Sequence, residues 1–84
     1  MMTQYVMRGA FDVSDAIDLA ETTDIDAAVR FTWGELLNDM RDELDCNRDH
    51  VNLVRYHLDG DDVDIYFEAP YDRVHKDLHG VERL

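Results

Sequence analysis

The chain has 84 residues, with 20 acidic side chains against 8 basic ones and a formal net charge of −12. A chain this short supports one domain with a thin core and leaves little room for a large enzyme cleft. Its field opposes direct contact with DNA, RNA or an anionic membrane, while its apolar and aromatic content excludes a disordered polyanion.

Residues 3–11 read as a strand, because Tyr5, Met7 and Phe11 alternate with Gln4, Val6, Arg8 and Ala10. Gly9 interrupts the file and marks a bulge or a close backbone approach. Ser14 is then an N-cap, with Asp15 in the first turn, for a short helix through Glu21 that buries Ile17 and Ala20, although the alternation of Ile17 and Leu19 with Asp18 also fits a strand. After the polar break at Thr22, Thr23 and Asp24, the residues Ile25, Val29, Trp33, Leu36, Leu37, Met40 and Leu44 recur at spacings of three and four. That stripe predicts one long helix capped by Asp24. A competing start at Thr32, with Glu35 completing a capping box and residues 28–32 forming a strand, explains why Phe31 leaves the stripe and why Gly34 is present. Both versions make residues 36–44 helical. Glu35, Asp39, Asp42 and Glu43 fall on one flank of that helix, opposite Arg30 and Arg41.

The segment Asp45, Cys46, Asn47, Arg48, Asp49, His50 is a polar connector, with Asn47 suited to end the helix. Residues 51–69 follow as a β-hairpin: Val54, Tyr56 and Leu58, then Val63, Ile65, Phe67 and Ala69, alternate with polar residues about an Asp-Gly turn. With Asp59 and Gly60 as the central residues, Tyr56 faces Val63, Val54 faces Ile65, Arg55 faces Asp64 and His57 faces Asp62. A four-residue loop from Asp59 to Asp62 preserves both faces and shifts the partners. Pro70 ends the second strand, and Tyr71, Val74 and Leu78 share the spacing of a short helix that Gly80 terminates.

Few constellations carry chemistry. His75 and His79 have the i,i+4 spacing of metal ligands, but Lys76 stands where HEXXH needs Glu, so they read as surface histidines and no metal or cofactor is expected. The acids of Asp59, Asp61 and Asp62 lack the later Glu of an EF-hand loop. A lone Cys46 excludes an internal disulfide, and no apolar run is long enough for a signal or a membrane span, so the expectation is a soluble cytoplasmic protein.

The expected fold is a single α+β domain over residues 1–84. A small antiparallel sheet of the N-terminal strand and the hairpin packs against one main helix, with one or two short extra helices. Its packing set is Met7, Phe11, Ile25, Val29, Trp33, Leu36, Leu37, Met40, Leu44, Val54, Tyr56, Val63, Ile65 and Phe67. In overall character the chain resembles phage-encoded DNA-mimic inhibitors and, equally, small haloarchaeal proteins. The expected function is therefore non-enzymatic. A protein partner with a basic, nucleic-acid-binding surface would be met by Glu35, Asp39, Asp42, Glu43, Asp59 and Asp61, the acids without a cationic neighbour. The alternative is a halophile-adapted housekeeping or structural domain, including a homodimer, whose acidity serves its solvent.

Overall fold

The computed structural model describes residues 2–40, 51–70 and 81–84. Strand β1 (Met2–Asp12) runs directly into helix α1 (Val13–Ala20), followed by helix α2 (Ile25–Met40), strands β2 (Asn52–Asp59) and β3 (Asp62–Pro70), and strand β4 (Val81–Arg83). The strands form one four-stranded antiparallel sheet in the order β2-β3-β1-β4. With β3 antiparallel to both β1 and β2, those two run parallel and are split by β3, so α1 and α2 form the crossover of a split β-α-β unit. The architecture is α+β, and its sheet is open and small.

The core lies on the sheet face toward α2. Tyr5 and Met7 of β1, with Val63, Ile65, Phe67 and Ala69 of β3, meet Val29, Trp33 and Leu37 of α2. Phe67, with no exposed surface, lies between two rings: Tyr5 stacks on it at 5.5 Å between centroids and Trp33 tilts over it at 5.2 Å. Such aromatic contacts add about 0.5–1.5 kcal/mol each beyond the burial of their area. Val29, Trp33 and Leu37 sit one turn apart, so the apolar periodicity of α2 and the alternation of β3 meet along one seam.

The long version of α2 is the one that forms. Asp24 caps it, its Oδ1 accepting from the Ala27 amide at 3.3 Å and its carbonyl from Ala28 at 2.9 Å. Residues 28–32 are helical, which overturns the strand reading, and Phe31 projects from the helix with 48% of its surface exposed. Thr32 is no cap: it sits inside α2, buried, one turn from the buried Ala28, and its hydroxyl has no hydrogen-bond partner. Ile25, on the first turn, stays exposed because the core begins a turn later at Val29. Leu44, the connector with Cys46 and the C-terminal helix expected around Tyr71, Val74 and Leu78 lie outside the described residues, as does the Met40 side chain.

Helix α1 begins earlier than Ser14 suggests. Asp12 occupies the N-cap position with extended backbone and makes no side-chain cap bond, and the buried residue is Ala16. Ile17 and Ala20 are half-buried. α1 packs on α2, where the small Ala16 and Ala28, both without exposed surface to within 1%, allow close approach.

Register differs from the tighter turn preferred on sequence. Asp59 pairs with Asp62, which makes Gly60 and Asp61 the central residues. Gly60 has φ +63 and Asp61 is not in the left-handed region, the pattern of a type II′ hairpin. The partners are those of the four-residue alternative: Leu58 faces Val63, His57 faces Asp64, and Tyr56 faces Ile65. Val54 is the extra residue of a bulge between Leu53 and Arg55, so Leu53 takes the core position opposite Phe67 and Val54 is left 45% exposed.

A second bulge lies in β1. Met7 pairs with Ile65 and Phe11 with Val63, so four steps along β1 match two along β3. Gly9 turns the chain there with φ +59, and its amide donates to Asp64 Oδ1 at 2.8 Å. Val6, placed by alternation on the polar side, is nevertheless fully buried opposite Tyr66.

Two stability measurements follow from these contacts. Asp64→Ala should lower the unfolding free energy in urea by about 1.5–3 kcal/mol, since it strips a charged acceptor from a part-buried amide, while Asp64→Asn, which keeps the oxygen, should lose less than half as much. Thr32→Val should raise stability by about 1 kcal/mol, because it removes an unsatisfied buried hydroxyl at nearly constant shape.

Candidate functional site

The two bulges and the turn determine what the outer face of the sheet presents. Alternation from the buried Val63 and Ile65 sends Asp62, Asp64, Tyr66 and Glu68 to that face. Cross-strand pairing adds Asp59 of β2 and Asp12 of β1 on either side of Asp62. Three carboxylates thus stand in a row across three adjacent strands, spaced by the interstrand distance of about 4.8 Å. Asp61 lies in the turn beside them, and its carbonyl accepts from the Val13 amide at 2.8 Å, tying the hairpin end to the start of α1. Asp15, in the first turn of α1, completes an acidic end to the molecule.

The electrostatics reflect this crowding. A hydrogen bond to Asp62 is the largest influence raising the Asp12 carboxyl above its ordinary 3.8, followed by desolvation and by repulsion from Asp15, Asp62 and Asp61.

The neighbouring row is partnered. Asp64 receives Gly9 on one oxygen and has His57 Nδ1 at 3.9 Å from the other. Arg55, expected opposite Asp64, faces Tyr66 instead and lies over its ring at 3.7 Å. Arg8 pairs with Glu82 of β4 at 3.5 Å. Basic side chains therefore accompany the middle of the outer face, and among the described residues none stands in the row at its end.

Of the residues expected to meet a partner, Asp59 and Asp61 sit at this acidic end and are exposed. Glu35 and Asp39 are exposed on α2 but form a separate patch. Tyr56 donates its hydroxyl to Asp26 Oδ1 at 3.1 Å, which holds the N-terminal turn of α2 against β2. Burial first, and that bond second, push the Tyr56 phenol above its usual 10.0. From Asp26, Glu35 and Asp39 lie about 14–20 Å farther along the helix axis. Asp42 and Glu43 fall outside the described residues, as do His75 and His79. The sequence reading does not single out Asp12 or Asp15, and it sets Asp62 aside as the partner of His57; the observed register instead places Asp62 between Asp59 and Asp12. Their one sequence signal is Gly9, which marks the bulge without giving its length.

Other arrangements offer less. Gly34 opens a shallow groove between α2 and the start of β2 beside Trp33, Leu37 and Val51, and its one cation, Arg30, is held by Asp26 at 3.0 Å. Among the described residues, no group of three or more His, Cys, Asp or Glu is arranged to hold a metal ion, and no helix is long and apolar enough to cross a membrane. No protein-family model, curated protein or solved structure matches the chain.

The raised Asp12 carboxyl makes a pH prediction. Below about 3.8 it is protonated folded or unfolded, and it affects stability little; as pH rises through its higher folded-state value, the native state must give up a proton it holds more tightly than the unfolded chain, and stability falls. Asp12→Asn should therefore raise the thermal midpoint at pH 7 in low salt. Its advantage should shrink as the pH approaches 4 and as salt reaches about 1 M, where screening acts within about 3 Å. Scanning calorimetry at several pH values checks both trends.

Proposed function

We propose that the protein is a small acidic interaction module that presents the carboxylates at the hairpin end of its sheet to a basic surface of another protein, one that otherwise holds nucleic-acid phosphates. The observation that carries this reading is the row Asp59, Asp62 and Asp12, built across three strands with no cation beside it among the described residues. Like charges directly opposite one another destabilise a sheet, and here two such pairs share Asp62. Arginines or lysines of a partner would remove that penalty, so binding and relief of repulsion would act together. A spacing near 4.8 Å is of the order of the ~3.4 Å rise between phosphates along one nucleic-acid strand. Asp61 and Asp15 widen the surface, and Glu35 and Asp39, with Asp42 and Glu43, form a second patch along α2.

The mechanism is electrostatic occlusion: the module occupies a basic groove and competes with nucleic acid for it, as an inhibitor of a defence or repair protein would. It needs no catalytic group or cofactor. Its own charge keeps it from nucleic acid and from anionic membranes.

A second reading has its own support. Exposed acids also occupy α1 at Asp15 and Asp18, the turn at Glu21 and Asp24, and β4 at Glu82, a shell rather than one face. Such a shell suits a domain adapted to concentrated salt.

Capture of basic proteins from the host at low salt, with duplex DNA as competitor, tests the first reading. The native protein should release its partner to DNA and to salt. Asp59→Lys with Asp61→Lys and Asp62→Lys should weaken capture at least about a hundredfold while the circular dichroism spectrum stays folded, whereas Glu35→Lys with Asp39→Lys should weaken it less. Undiminished capture by the triple variant would remove the hairpin end from the mechanism. Unfolding of the native protein below about 1 M salt would favour the solvent-adapted shell.

A further inference from the structure

Of the two edges of the sheet, β4 is three residues long, whereas β2 offers eight, Asn52–Asp59, with neither Pro nor Lys to guard it. A two-residue turn closes on a hydrogen-bonded pair, so Asp59 and His57 direct their backbone groups toward β3. Leu58 and Tyr56 therefore direct theirs outward. The bulge at Val54 ends this regular edge, leaving the stretch from Arg55 to Asp59 as the usable template.

We infer that the β2 edge pairs with the β2 edge of a second copy of this chain, antiparallel about His57, joining two four-stranded sheets into one continuous sheet. Backbone parity allows pairing only when outward-facing residues meet one another. Centring on His57 satisfies this by setting Tyr56 opposite the second copy's Leu58, and the reverse. The same register sets Arg55 opposite Asp59 of the other copy, twice by symmetry. Centring on Tyr56 would instead oppose Arg55 to His57, and centring on Leu58 would leave Arg55 beyond the turn. Charge therefore selects one register among those the backbone permits.

The side chains fit that selection. Arg55 lies over the Tyr66 ring by its planar face, which leaves its N–H edge to donate to a carboxylate. Asp59, whose cross-strand neighbour is Asp62, would gain the second copy's Arg55 as a cationic neighbour, where no described residue of its own chain supplies one. Leu58, 40% exposed, would be covered by the second copy's Tyr56. Pairing would take up Asp59 of each copy and leave Asp61, Asp62 and Asp12 at the rim, so the proposed acidic surface would keep three of these four carboxylates in the dimer.

Sedimentation equilibrium of the full chain tests the pairing, at about 0.5 M NaCl so that the net charge of −12 on each copy is screened within about 5 Å. The native chain should sediment with twice the mass of one chain. Arg55→Asp and Asp59→Arg, each at an exposed position, should each raise the dimer dissociation constant at least about tenfold. The double variant, which exchanges the two charges, should restore the native constant and thereby exclude misfolding as the cause of the losses. A monomer at all concentrations, a dimer indifferent to the single reversals, or a double variant that stays dissociated would overturn the pairing.

Discussion

The carboxylate of Asp64, held against the backbone amide of Gly9 at 2.8 Å, is the contact on which the rest of the sheet depends. A bulge leaves amides without strand partners, and a hydrogen bond from such an amide to a charged acceptor contributes about 1.5–3 kcal/mol. Asp64 supplies that partner from the adjacent strand, 55 residues away in sequence. The bulge in turn lets Phe11 reach the position opposite Val63 and places Asp12 opposite Asp62. A regular ladder continued from Met7 would put Gly9 opposite Val63 and carry Phe11 past the end of β3.

Once that register is established, charge and apolar surface separate cleanly. The inner face of β3 is buried from Val63 to Ala69 under Trp33, Val29 and Leu37, while its acids turn to the other side. There the basic side chains are unevenly distributed: His57 lies beside Asp64, Arg55 lies on Tyr66 and Arg8 reaches Glu82. The end row holds Asp59, Asp62 and Asp12, and the crowding raises the Asp12 carboxyl above its ordinary value. The backbone beside that row is held by the turn at Gly60 and by the bond from the Val13 amide to the Asp61 carbonyl.

Helix α2 shows how local and tertiary preferences divide. Asp24 and the recurrence of Val29, Trp33 and Leu37 are local signals, and they outweigh the helix-weakening Gly34 and the misplaced Phe31 because the seam against Phe67 rewards continuity. Thr32 and Glu35 fit a capping box in sequence, yet the helix passes through them. The unsatisfied Thr32 hydroxyl is the mark of that conflict.

The alternating and helical periodicities were enough to determine the α+β class, the hairpin, the glycine-marked irregularity in β1 and most of the packing set, including Met7, Val29, Trp33, Leu37, Ile65 and Phe67. These are properties of residues within a few positions of one another, where backbone geometry decides which side chains share a face. Only the tertiary structure decided the register, and with it Leu53 over Val54 in the core, Tyr66 over Asp64 as the partner of Arg55, and the meeting of Asp12, Asp62 and Asp59. A one-residue change in turn placement or bulge length leaves each strand's alternation intact while changing every cross-strand neighbour. The candidate acidic surface is built of cross-strand neighbours, and for that physical reason Asp59 and Asp61 could be singled out along the chain while the row that Asp59 forms with Asp62 and Asp12, beside Asp61, could not.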